Sequence, residues 1–357
     1  MILYLILLIL VALVVERWSI RHALDGVKYE LKISKNLVEI DEEFQLITTL
    51  RNASRRFIPF IRISEYVPRD ITMDAKRYTM GFDENKAKVN STVYMMPRQK
   101  MVRRLQASLG RRGRYVFNGA ILYGGDFLGL SEKAKYFDRL REAVVLPKRL
   151  DSVEFDRTLG GFLGDVSVNR FILEDPVLTL GFRDYTGREP MKQISFTATA
   201  RTGRMMVKQF DHTLDVTVSV VLNLDTRLPS GLARPLMETC FSMTRGVCEM
   251  LEEKRIQYAF CTNARAAGQT GPWEFVSDGL GGAHLSTILE GLGRAACQAT
   301  RSRDTLLEDV RRRAESGRAH IIITPGREDI SPAQVRALSN YTGAKVLVVS
   351  AEEVTAP

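Results

Sequence analysis

The stretch Val216-Thr217-Val218-Ser219-Val220-Val221-Leu222-Asn223-Leu224-Asp225-Thr226-Arg227-Leu228-Pro229 decides the reading of the second half of the chain. Val216, Val218, Val220, Leu222 and Leu224 alternate as one face of a strand, and Val221 makes the opposite face apolar near its end. A strand apolar on both faces belongs in a sheet that is covered on both sides. Downstream, Leu232, Leu236, Cys240, Met243, Val247, Met250 and Leu251 recur at helical spacing. Residues 256–261 read as the next strand, 285–299 and 304–314 as helices, and 319–324 as an apolar strand ended by Pro325-Gly326. Ser331 can cap a helix with Pro332 in its first turn, and residues 345–349 form the last strand. Strand alternating with helix predicts a parallel sheet with helices on both faces.

Upstream the period changes. Val27-Lys28-Tyr29-Glu30-Leu31-Lys32-Ile33 alternates apolar and charged residues, and residues 44–50, 89–96, 102–109, 114–117 and 120–123 have similar character. Asn52-Ala53-Ser54, Asp83-Glu84-Asn85 and Asn118-Gly119 supply turn chemistry between them. Short strands at this spacing predict an antiparallel β-sandwich over 27–147. Leu159-Gly160-Gly161-Phe162-Leu163-Gly164-Asp165 reads as a loop opening the third part, 151–357.

The first part is 1–20. Met1 to Val15 carry no charge, and a bilayer crossing needs roughly 17–25 predominantly apolar residues. Counting through Trp18 and Ile20, with Arg17 and Arg21 snorkelling, the segment predicts a membrane anchor helix. A cleaved signal peptide is the rival, although no positive residue precedes the apolar run and Glu16-Arg17-Trp18 is a poor cleavage site. Arg17, Arg21 and Lys28 follow the segment, so the positive-inside rule predicts a single-pass inner-membrane protein with its main domains in the cytoplasm. The four cysteines, Cys240, Cys248, Cys261 and Cys297, have no C-x-x-C pairing and suit a reducing compartment.

The formal net charge is +9. The basic doublets Arg55-Arg56, Arg103-Arg104 and Arg111-Arg112 and the triplet at 311–313 are scattered, with no compact stripe of stacking aromatics, which argues against nucleic acid. They fit ordinary solvated arginines or attraction to an anionic leaflet.

Few residues offer catalytic chemistry. His22, His212, His284 and His320 lack metal-ligand spacing. Asp211-His212 with Asp215 has no elbow motif framing a nucleophile. The glycine-rich stretches at 160–164 and 278–282 lack the G-K-[ST] of a phosphate loop. Asp41-Glu42 and Glu252-Glu253 read as solvated faces. Asp225 is the most informative single residue, because it ends a buried strand at its carboxyl edge, where open α/β sheets place ligands. The arrangement resembles the von Willebrand factor A fold, whose D-x-S-x-S metal site begins there. Arg227 and Pro229 replace both serines, so the site is degenerate and neither metal nor cofactor is expected.

One segment carries a further resemblance. Arg183-Asp184-Tyr185-Thr186-Gly187-Arg188-Glu189-Pro190-Met191-Lys192-Gln193-Ile194-Ser195-Phe196 is followed by Ala200-Arg201 and then Met206-Val207-Lys208-Gln209-Phe210. It resembles the signature of the bacterial domain-of-unknown-function 58 family, R-x-Y-x-x-G-D-x-x-R-x-I-x-W, then A-R, then a V-K strand. Arg111-Arg112-Gly113-Arg114-Tyr115 and Asp126-Phe127-Leu128-Gly129-Leu130 resemble the family's R-R-G-x-Y and D-P-F-G-L pieces. Arg188 stands where the family has glycine, Glu189 where it has aspartate, Lys192 where it has arginine and Phe196 where it has tryptophan, and Phe127 takes the place of a proline, so the chain resembles a divergent member. Read from the residues alone, Arg183 and Tyr185 share a strand face and Ile194, Phe196 and Val207 are apolar anchors, suiting either a structural clasp or a partner-binding surface.

The resemblance implies company: a MoxR-type AAA+ ATPase, a transglutaminase-like membrane protein, and the membrane itself. The expected function is a membrane-anchored, non-enzymatic adaptor or scaffold in assembly or maturation of an envelope complex. Arg183, Tyr185, Arg188, Lys192, Asp225 and Arg227 are its candidate partner-binding residues. A metal-dependent adhesion module and an enzyme acting on envelope precursors are the alternatives.

Overall fold

The computed structural model describes residues 20–73, 79–82, 86–125, 132–170, 175–187, 189–211, 217–268 and 273–355, with Tyr4, Leu7, Leu10, Val11, Val14, Arg17 and Trp18. The chain divides into two compact units, Met1–Lys148 with Leu292–Ala295, and Arg149–Gly291 with Ala296–Pro357.

The first unit is built of strands. β1 (Val27–Ile33), β3 (Phe44–Asn52), β8 (Lys100–Leu109) and β5 (Ile71–Met73) pair antiparallel in that order. A second sheet runs β11 (Glu132–Phe137), β10 (Ala120–Gly125), β4 (Ile58–Pro68), β7 (Lys86–Met95) and β6 (Thr79–Phe82). β2 (Leu37–Val38), β12 (Arg141–Val145) and β9 (Gly113–Phe117) form a third, smaller sheet. The period-two pattern is the cause. In β1, Val27, Tyr29 and Leu31 point inward, while Lys28, Glu30 and Lys32 point out. The inward residues meet Leu50, Ile61, Ile63 and Leu122 in one core.

That core contains an ion pair. Glu65 of β4 pairs with Arg103 of β8, and its Oε1 accepts from Tyr29 Oη (3.0 Å) and Thr48 Oγ1 (2.5 Å). The pair joins the two larger sheets through side chains, since β4 and β8 belong to different ones. A buried pair of this kind is destabilising when broken, because the orphaned charge stays buried.

The second unit centres on a five-stranded sheet ordered β18 (Phe275–Gly279), β16 (Gln257–Thr262), β15 (Thr217–Leu222), β20 (Ala319–Thr324) and β21 (Val346–Ser350). All neighbours are parallel except β18, which runs antiparallel to β16. Two further pairs are β13 (Asp175–Asp184) with β14 (Met206–Asp211), and β17 (Ala264–Ala266) with β19 (Ala295–Ala299). Its helices are α1 (Val153–Arg170), α2 (Phe196–Thr202), α3 (Ser230–Glu253), α4 (Gly282–Arg294), α5 (Arg303–Arg313), α6 (Pro332–Thr342) and α7 (Ala351–Thr355). Val221, Cys261 and Ile322 cluster with Leu306 and Val310 of α5 and Leu338 of α6, while α3 packs on β15, β16 and β20. Cover of this kind accounts for the unbroken apolar runs.

Several expectations are corrected. Among the described residues no helix is long and apolar enough to cross a membrane, which overturns the expected N-terminal membrane helix and the single-pass inner-membrane placement built on it. Most of the apolar run at 1–15 lies outside the described residues. The expected fold class, an N-terminal membrane helix, an antiparallel β-sandwich and then a Rossmann-like von Willebrand factor A-type α/β domain, is corrected to a mostly β-sandwich molecule without that membrane helix, in which strand outweighs helix among the described residues, 40% against 33%. The expected loop at 159–165 is the middle of α1. Phe155, Leu159, Leu163 and Val166 recur at helical spacing and are buried, while Gly161 and Gly164 fall on the exposed side. Four apolar contacts on one face outweigh the low helix propensity of the glycines. The helix expected at 285–299 stops at Arg294, and Ala295–Ala299 pairs as β19.

Candidate functional site

The signature segment folds on β13 and β14. Phe182 pairs with Lys208, Arg183 with Val207 and Asp184 with Met206, and the Tyr185 amide donates to the Met205 carbonyl at 2.8 Å. Ile194 bridges to Val207 from the other side of β14. Ser195 then caps α2, its Oγ accepting from the Ala198 amide at 3.3 Å, and Gly203 ends that helix at φ 69°. Ile194 and Val207 are buried and hold the piece together.

Glu189 closes the turn between them. Its Oε1 accepts from Arg183 Nη1 (2.5 Å) and Thr186 Oγ1 (2.8 Å), and its Oε2 accepts from the Thr186 amide (3.1 Å). The Thr186 hydroxyl and then the Arg183 guanidinium hold the carboxyl down at about 2. The Glu189 carboxylate therefore ties the strand and the turn together.

Four large apolar side chains near this clasp are exposed. Phe182 is 50% exposed, Met191 71%, Phe196 72% and Met205 47%. Phe196 is thus not the anchor expected from sequence; it starts α2 and faces solvent. Arg183 is exposed and Tyr185 half-buried, and Lys192, in the 3-10 turn Met191–Gln193, is exposed. Arg188 lies outside the described residues.

Asp225 and Arg227 belong to another place, the carboxyl edge of the central sheet. Asn223, fully buried, organises it: its amide nitrogen donates to the Asp225 carbonyl (2.9 Å) and to Thr324 Oγ1 (3.0 Å), and its Oδ1 accepts from the Asp225 amide (3.0 Å) and Asn263 Nδ2 (2.9 Å). Asp329, also buried, accepts from Thr226 Oγ1 (3.0 Å), the Arg227 amide (3.3 Å), Thr324 Oγ1 (3.3 Å) and the Gly326 amide (2.7 Å). Asp225 Oδ2 accepts from the Arg303 amide (3.0 Å), and the Arg303 guanidinium lies 3.8 Å from Asp329. Both carboxylates are thus engaged by the protein's own donors, and a fixed cation stands beside Asp329. The arrangement can lock three loops. Among the described residues no group of three or more His, Cys, Asp or Glu is placed to hold a metal ion. The exposed side chain of Arg227 is the part of this edge most open to a partner.

Asn223, Asn263, Thr324, Arg303 and Asp329 are not among the candidates that the sequence offers, and Glu189 enters there only as a departure from the family signature. A signal was present for three of the edge residues. Asn223, Asn263 and Thr324 each sit at or just beyond the end of an apolar strand, and adjacent parallel strands bring such positions level.

No family model and no curated protein sequence matches the chain. Among solved structures, a CARDB domain from Pyrococcus furiosus is 11% identical, spans 34% of this chain and 90% of that one, and superposes with a TM-score of 0.24. A cohesin module of a family 33 glycoside hydrolase from Clostridium perfringens is 10% identical over 34% of this chain and 96% of that one, with a TM-score of 0.25. A type II cohesin domain from the cellulosome of Acetivibrio cellulolyticus gives 13%, 34%, 95% and 0.25. At these scores the likenesses carry no functional argument.

Proposed function

We propose that the chain is a non-catalytic binding protein that docks a protein partner on the surface around β13, β14 and α2. The observation that carries this reading is the exposure of Phe182, Met191, Phe196 and Met205 within a segment that also holds Arg183, Tyr185 and Lys192. Large apolar side chains beside arginine and tyrosine are the usual anchors of protein interfaces. The Glu189 clasp keeps this piece in shape, so the clasp and interface readings of the signature are compatible. The internally consumed carboxylates of the sheet edge support a role without catalysis. The resemblance to the domain-of-unknown-function 58 signature nominates a MoxR-type AAA+ ATPase as the partner.

The test is co-elution of purified chain and purified MoxR-type ATPase on a sizing column. A complex is expected, and it should be lost with Phe196→Glu and Met191→Glu while each variant keeps its melting temperature. Absence of a complex with the unaltered chain, or its survival in both variants, would refute the proposal.

A further inference from the structure

The outer face of the first unit carries an arrangement that the partner surface does not use. Lys28 of β1 stands directly opposite Arg51 of β3, and Arg51 directly opposite Lys100 of β8. All three are exposed. Like charges placed directly opposite each other on neighbouring strands repel and are destabilising. Among the described residues none of the three has an ion-pair partner, and neither does Arg139 nearby. On the same face Lys32 meets Glu30 at 3.1 Å. Three strands at the usual spacing make this cationic row about 10 Å wide.

The row forms the floor of a groove of about 780 Å³, walled by residues 137–141. Arg139 and Arg141 add two cations, and Arg141 is held in place by donating from Nε to the Leu31 carbonyl at 3.1 Å. Glu30 and Asp138 are the carboxylates of the lining, so five cations face two acids. Phe137 and Leu140 give the wall an apolar part, and Leu140 is 56% exposed. The size falls within the range of small-molecule sites, about 300–1,000 Å³.

We propose that this groove binds a small ligand with at least two phosphoryl charges and an apolar or ring-shaped body. The phosphoryl groups lie on Lys28, Arg51 and Lys100, with Arg139 closing over them, and the body rests against Phe137 and Leu140. Such a ligand relieves the repulsion within the row, so part of its binding energy comes from strain already present in the free protein. The phosphoryl groups can belong to a free metabolite or to the headgroup of an anionic lipid, and the chemistry of the floor is the same for both.

The test uses the full chain. Titration calorimetry with pyrophosphate and with ADP should show saturable binding that weakens with added salt. The double variant Arg51→Glu/Lys100→Glu should weaken it by about tenfold or more. Arg312→Glu, a reversal at an exposed position on α5, should leave it unchanged. Arg51→Thr should raise the melting temperature of the free protein and abolish the stabilisation given by ligand. In parallel, vesicles of neutral lipid with and without phosphatidic acid are assayed by flotation. Binding of pyrophosphate or ADP assigns a soluble ligand; binding only to the phosphatidic acid vesicles assigns a headgroup. No binding in either arm, or equal weakening by Arg312→Glu, overturns the proposal, as does a lower melting temperature for Arg51→Thr with binding intact.

Discussion

His320 shows how one buried side chain sets a pH response. It lies in β20, fully buried, and neither ring nitrogen has a hydrogen-bond partner. Burial, with Arg318 as a smaller contributor, pushes its pKa down from 6.5 to about 4. In the unfolded chain the imidazole takes a proton near pH 6.5, while the folded protein resists until about pH 4. The unfolded state therefore binds more protons between these values, and stability falls as pH falls through the window. The loss is about 2 kcal/mol at pH 5 relative to neutral pH. His320→Leu should remove it, as read from denaturant unfolding at both pH values; an equal loss in the variant would show that another group is responsible. The depressed carboxylates do not confuse the result, because the stability they supply is lost only as pH falls below their ordinary value of 4.5.

At the scale of elements, patterns that depend on neighbours in sequence were the legible ones. The alternation of Val27–Ile33 appears as the alternating burial of β1, and Ser331 caps α6 in a full capping box with Gln334. Patterns that depend on distant partners were not. The like-charge row is invisible until register puts Lys28, Arg51 and Lys100 side by side, and the exposure of Phe196 depends on where β14 lies. The glycines of α1 suggest a loop by local propensity, and the buried face of Phe155, Leu159, Leu163 and Val166 overrides it. That helix makes its own prediction: Gly161 and Gly164 are exposed, and an added Cβ meets nothing within 4 Å at either. Gly161→Ala and Gly164→Ala should each stabilise by about 0.5–1 kcal/mol. Gly291→Ala should destabilise, because its Cβ would lie 1.5 Å from Trp273 Nε1. Thermal melts of the three variants decide this; destabilisation by the first two would remove the support for α1.

At the scale of the whole molecule, each unit has its own core and its own unassigned surface. The sandwich presents the cationic groove, and the second unit presents the apolar surface on β13, β14 and α2. The net charge of +9 reported that anions would be attracted without saying where, since the doublets visible in sequence are not the residues that line up in the groove. The candidate residues at 183–192 and at 225–227 looked equivalent in sequence, and they belong to different local structures: a clasp with exposed apolar neighbours, and a sheet edge tied up by its own hydrogen bonds. Partner docking through the first of these is the central claim. Amide hydrogen exchange of the full chain, with and without a purified MoxR-type ATPase, tests it most directly. Slowed exchange confined to residues 182–206 is the predicted result; protection at Asp225, Arg227 and Arg303 instead, or no change anywhere, would contradict it.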